Sequence, residues 1–168
     1  MDFLSSLEQS GFSTWMKESP SVWAYPTVLF LHTVGLGFLV GTSMAIDLRI
    51  LGFSPNLPLQ PMKRFFPVMW AGFWINAASG VVLMVIDATS MLVNPLFYIK
   101  LACIALAVIS GRLIWNQVFL SPVDKDAPIG TGSRLLAGAS LFFWIAAITA
   151  GRLTAYLFTH IGSIAANH

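Results

Sequence analysis

Four stretches of this chain, at about 22–46, 66–88, 96–119 and 135–158, are almost free of charged residues. Each is long enough, as a helix, to cross the ~30 Å of hydrocarbon in a bilayer, which takes roughly 20 residues. Lipid offers no water to backbone polar groups, so only helices and closed barrels cross it. The alternation of apolar and polar residues that a barrel needs is absent. The pattern predicts an all-α, integral membrane four-helix bundle forming a single membrane domain over 1–168. Composition agrees: 57% of the 168 residues are hydrophobic, 10% are charged and mean hydropathy is +0.77. Soluble domains carry about 25% charged residues.

Punctuation falls between the stretches. Gly52, Pro55, Pro58 and Pro61 occupy the first connection, where prolines bar a helix interior. Asn94-Pro95 reads as an N-cap followed by Pro at the first helical position. Pro122, Pro128, Gly130 and Gly132 mark the third connection, and Ser133 is the expected cap of the last helix. Ahead of the first span, Phe3, Leu4, Leu7, Phe12, Trp15 and Met16 recur among Ser, Glu and Gln. That pattern predicts a short N-terminal interfacial helix, about 3–16. This segment has no basic n-region, and no small-residue cleavage site follows the first apolar run, so that run reads as a retained helix.

The charges suggest an orientation. Arg49, Lys63, Arg64, Lys125 and Arg134 flank the first and third connections, against Lys17 and Lys100 on the other side. The positive-inside rule then puts both termini outside the cytoplasm of a bacterial inner membrane. Trp23, Tyr25, Tyr98 and Tyr156 fall where an outer aromatic belt would lie. A net charge of +2, spread along the chain, gives no basic arm for nucleic acid. The single Cys103 supports neither a disulfide nor a zinc site.

Small residues recur at spacing four in Gly37/Gly41/Ala45, Gly72/Asn76/Gly80, Cys103/Ala107/Gly111 and Ala147/Gly151/Ala155. Such stripes let membrane helices approach closely and favour a compact, self-associating bundle. Ionisable residues inside the spans are the candidate functional groups, since each is costly there unless paired or used. Take the helix midpoints near 38, 77, 108 and 145. A rise of about 1.5 Å per residue then puts His32 about 9 Å from the midplane, Met84 and Arg152 about 10 Å, Lys100 about 12 Å and Asp87 about 15 Å. These residues, with Tyr156 one turn after Arg152, form one outer layer. A second layer near the cytoplasmic side holds Asp47, Arg49, Arg112 and Asn116, in which Asp47–Arg112 is the expected structural ion pair.

Several motifs carry a resemblance. They are Lys17-Glu18-Ser19, Tyr25-Pro26 through His32 to Gly35, Asp47-Leu48-Arg49 with Leu51-Gly52, and Trp70-Ala71-Gly72-Phe73. To these add Asn94-Pro95 with Phe97 and Lys100, and Gly151-Arg152 with Ala155-Tyr156. With them the chain resembles, along nearly its whole length, an uncharacterised family of small four-helix bacterial membrane proteins. The resemblance implies the fold and no reaction. Family members often carry a second histidine late in the third helix, where this chain has Trp115-Asn116-Gln117.

Three functions follow as expectations. The first is a non-enzymatic site for a small anionic or redox-active ligand, such as a quinone or lipid headgroup. Lys100 and Arg152 would take its oxygens, and His32, Tyr156, Asp87 and Met84 would complete the site. The same bundle would otherwise serve as a subunit of a larger membrane complex. The second is haem b electron transfer, loosely like cytochrome b bundles, with His32 and Met84 as axial ligands. The third is ion or metal transport, loosely like copper-resistance bundles. Met44, Met62, Met69, Met84 and Met91 are not at ligand spacing for copper(I). No hydrolase or phosphate-loop motif is present, and Ser79, Ser110 and Ser140 lack an evident base.

Overall fold

The computed structural model describes residues 6, 8–19, 21, 23–120 and 129–165, with side chains for all of these except 17, 155 and 157–165. Part of the expected interfacial helix (Phe3, Leu4, Leu7), the loop residues Pro122, Lys125 and Pro128, and the side chain of Lys17 lie outside that description. The described chain is all-α. Its helices are α1 Gly11–Glu18, α2 Tyr25–Leu51, α3 Phe65–Ile86, α4 Ala88–Val93, α5 Pro95–Ile114 and α6 Thr131–Ala165. A 3-10 turn, Gln60–Arg64, leads into α3, and a π-helical segment, Trp115–Leu120, ends α5. Four of these helical segments are long and apolar enough to cross a membrane, as a multi-pass membrane protein requires. Their outward faces carry Phe30, Trp74, Ile109, Phe142 and Ile145, all exposed, which suits a lipid solvent.

The helix ends follow from local chemistry. α2 runs five residues beyond the expected end at 46, and Asp47 and Arg49 lie within it. It stops at Gly52, whose φ of +99° only glycine adopts cheaply; the amides of Gly52 and Phe53 both return to the Leu48 carbonyl. Arg49 then donates to the carbonyls of Pro55 and Leu57, fastening the following loop to the helix. Asn94 caps α5 as expected, its Oδ1 accepting from the Leu96 amide at 2.9 Å. Ser133 does not cap α6. The helix starts earlier, at Thr131, and buried Ser133 donates to Gln117 Oε1 at 3.2 Å.

The chain forms two compact units. The first comprises the described residues up to Thr42 and Arg64–Val93. Here the first part of α2 packs antiparallel on α3: His32 meets Ser79 and Gly80, Gly35 meets Asn76, and Leu39 meets Gly72. Backbones touch at this crossing. A Cβ on Gly35 would lie 2.7 Å from the Asn76 nitrogen, and one on Gly72 would lie 2.7 Å from the Leu39 nitrogen. The buried face of α3 reads Phe66, Met69, Gly72, Asn76, Ser79, Leu83 and Ile86, a stripe built of three- and four-residue steps. α1 packs through Met16 against Ala24 and Ile86, and the Ser13 hydroxyl donates to the last carbonyl of α3, Ile86 O, at 3.4 Å. Thr89, at the start of α4, donates both amide and hydroxyl to the Glu8 carboxylate, where an anion suits a helix N-terminus.

The second unit comprises Ser43–Lys63 and the described residues from Asn94 on. α5 and α6 form an antiparallel hairpin, with Gln117 opposite Ser133 and Lys100 opposite Gly151. α6 buries Ser133, Ala137, Ser140, Trp144, Ala147, Ala150 and Thr154 on one face.

The small-residue stripes are used selectively. Gly37, Gly41 and Gly111 have nothing within 4 Å of an added Cβ, so no close backbone approach is made at these three glycines, although Ala107 and Gly111 lie on the buried face of α5. Gly35, outside every stripe, makes the tightest contact together with Gly72.

Candidate functional site

The residues of the expected outer layer fall in different units: His32, Met84 and Asp87 in the first, Lys100, Arg152 and Tyr156 in the second. Each group is built differently.

His32 is half-buried on α2, and its ring lies over Gly80, whose missing side chain makes the room. An added Cβ there would sit 3.2 Å from His32 Cε1. Nδ1 is 3.1 Å from Ser79 Oγ. Ser79 has one proton, and its Oγ is 2.6 Å from the Ile75 carbonyl, so the hydroxyl donates there. His32 Nδ1 therefore carries the hydrogen and Ser79 accepts it, which in the neutral ring puts the lone pair on Nε2. The same direction removes Ser79 as a nucleophile, since His32 is not taking its proton. Asn76 Nδ2 adds a 2.8 Å hydrogen bond to the His32 carbonyl. Backbone and ring of His32 are thus both held by α3. Met84, half-buried, is one turn beyond Gly80. Asp87 is not on the spanning helix. It is the residue at which α3 ends, with φ −121° and ψ 45°, and its carbonyl accepts from Met91 as α4 begins.

Lys100 is half-buried near the start of α5. Its stem and ammonium cross Gly151 of α6, with Cε 3.5 Å and Nζ 3.6 Å from where a Cβ would be. The neighbouring Arg152 is exposed, as is Tyr156 one turn on. Arg152 falls outside the buried stripe of α6, on the face that carries Ile145, Ile148 and Thr149. Among the described residues, neither Lys100 nor Arg152 has an ion-pair or hydrogen-bond partner for its side chain.

The expected Asp47–Arg112 ion pair is not formed. Asp47 is buried to 1% exposure, while Arg112 is exposed, turned away from the buried face of α5 at Ala107, Ser110, Gly111 and Ile114. Asp47 instead takes a long 3.5 Å hydrogen bond from Ser43, which in turn accepts from Trp144 Nε1 at 2.9 Å. The four-residue Ser43–Asp47 spacing is the signal in the sequence for this contact. Ser79 and Asn76 as partners of His32 had no such local signal, because they are distant in the chain. Among the described residues, no group of three His, Cys, Asp or Glu side chains is placed to hold a metal ion.

Compared with family models, curated proteins and solved structures, the chain matches none of them.

Proposed function

We propose that this is a non-enzymatic membrane protein whose Lys100 and Arg152 bind a small anionic or redox-active ligand of lipid-like character, a quinone or a lipid headgroup. The observation that carries this reading is a lysine lying over Gly151, the residue before Arg152, with neither cation having an acceptor among the described residues. Cations at the end of a spanning helix gain most from an anion supplied at the headgroup level. Lys100 contributes a point charge beside the notch at Gly151, Arg152 a planar fork suited to two oxygens, and Tyr156 an amphipathic ring one turn away. The exposed aromatics Trp23, Tyr25, Tyr98 and Tyr156 suit the same interface. With the basic residues of the first and third connections, they favour a bacterial inner membrane with both termini outside the cytoplasm. The apolar outer faces also leave room for a larger membrane complex or a homo-oligomer within the lipid.

The test is thermal unfolding in mild detergent with added phosphatidylglycerol or phosphatidylcholine. The anionic lipid should raise the midpoint more than the zwitterionic one, and Lys100→Met with Arg152→Met should abolish the difference. An undiminished difference in the double variant contradicts the reading.

One observation favours haem b as a second reading. His32 has its Nδ1–H anchored by Ser79 and a lone pair on Nε2, the arrangement typical of metal-ligating histidines. Against it, α2 and α3 touch at Gly35 and Gly72, which leaves no space for a macrocycle at that crossing. A Soret band lost in His32→Ala would favour haem; a colourless protein from haem-supplied cells would remove it.

A further inference from the structure

Asp47 is sealed into the second unit, on a membrane-spanning helix, at 1% exposure. Its surroundings are polar and neutral. Trp144 Nε1 can only donate, and it gives its hydrogen to Ser43 Oγ at 2.9 Å. Ser43 therefore turns its own hydrogen toward Asp47 Oδ2, at 3.5 Å. One turn before Trp144, the fully buried Ser140 lies beside the carboxyl and acts on it, but its Oγ reaches no well-formed hydrogen bond. The site thus holds a carboxyl with one long hydrogen bond and, next to it, a hydroxyl whose own hydrogen bond is not well formed.

Among the described residues, no balancing charge comes from the elements around it. Arg49 is committed to the carbonyls of Pro55 and Leu57, and Lys100 lies over Gly151. Arg112, Arg134 and Arg152 are exposed. Lys63 and Cys103 are half-buried, and among the described residues neither they nor Tyr98 and Tyr156 bond to Asp47. A carboxylate taken out of water without a partner is too costly to persist by several kcal/mol. Unpaired buried hydroxyls are likewise rare and point to a missing partner.

We propose that Asp47, Ser43 and Ser140 form a membrane-embedded site for one small monovalent cation, a proton or an alkali ion. A proton would sit on the carboxyl and be donated to Ser140 Oγ, completing a chain that runs Trp144, Ser43, Asp47, Ser140. An alkali ion would take the carboxyl oxygens and Ser140 Oγ as ligands. Either supplies the missing charge and the missing partner together. The site shares no residue with the proposed anion site, so the two readings stand or fall separately.

The experiment uses the full chain in lipid vesicles. Infrared spectra at neutral pH compare wild type with Asp47→Asn, whose amide accepts from Ser43 and donates to Ser140 as a protonated acid would. Thermal unfolding is followed in sodium, potassium and choline chloride at equal ionic strength. A protonated-carboxyl band missing in Asp47→Asn, with no preference among the salts, establishes the proton. A higher midpoint in sodium or potassium than in choline, lost in Asp47→Asn, establishes the alkali ion. Neither a band nor a salt preference overturns the proposal. Ser140→Ala is the second variant, for use if Asp47→Asn does not fold. It should shift the carboxyl band or shrink the salt preference, and a wild-type response in both overturns the site.

Discussion

His32 and Lys100 are both ionisable residues near the ends of spanning helices, yet the protein treats them in opposite ways. In the first unit, His32 is held at its ring by Ser79, at its carbonyl by Asn76, and over Gly80 by a space made for it. In the second, Lys100 also lies over a glycine, but its ammonium has no acceptor among the described residues. A polar group whose bonds are supplied inside the fold works as a strut, and its loss is felt as instability. A cation with no internal partner adds little to stability and has its charge to spend on something from outside.

That contrast can be broken or sharpened by substitution. The largest effect belongs to the first unit. Gly72→Ala places a Cβ 2.7 Å from one backbone atom and 2.8 Å from another, with no flexible side chain to give way. It should cost about 1–3 kcal/mol in detergent unfolding, the usual range for overpacking. It should also disturb the His32–Ser79 hydrogen bond, readable as a change in the histidine's NMR shift. Asn76→Ala comes next. Losing one interhelical hydrogen bond in a membrane protein costs about 0.6–2 kcal/mol, and the same unfolding assay measures it. In the second unit, Lys100→Met should leave the unfolding midpoint unchanged or slightly raised while weakening anionic-lipid binding. A large destabilisation there would show that Lys100 has an internal partner and would erase the contrast. Smallest of all are Gly111→Ala and Gly138→Ala. Neither added Cβ meets an atom within 4 Å, so each should stay within about 0.5 kcal/mol of wild type.

Much of the fold was legible in the sequence, because length and hydrophobicity are nearly sufficient to specify a membrane helix. The four spans and the Asn94-Pro95 start of α5 follow from such local signals. The end of α2 lies beyond the expected boundary because the polar Asp47 reads as an end, whereas it is buried within the helix. Depth along a helix is also legible from the rise per residue, whereas rotation about its axis is not. That is why depth alone pairs Arg112 with Asp47 although Arg112 is exposed, and why the spacing singles out Gly37 and Gly41 while Gly35 makes the contact. The partners of His32 are not legible in the sequence for a related reason. Ser79 and Asn76 are ordinary membrane-helix residues until a crossing some forty residues away in sequence brings them to the ring and carbonyl.

The central claim is that Lys100 and Arg152 hold an anion from outside the chain. Native mass spectrometry of the protein, purified in mild detergent from its host membrane, tests it most directly. The account predicts a bound lipid-like anion on the wild type that is lost from Lys100→Met/Arg152→Met, with the variant still folded. An identical set of bound species on wild type and variant would contradict it.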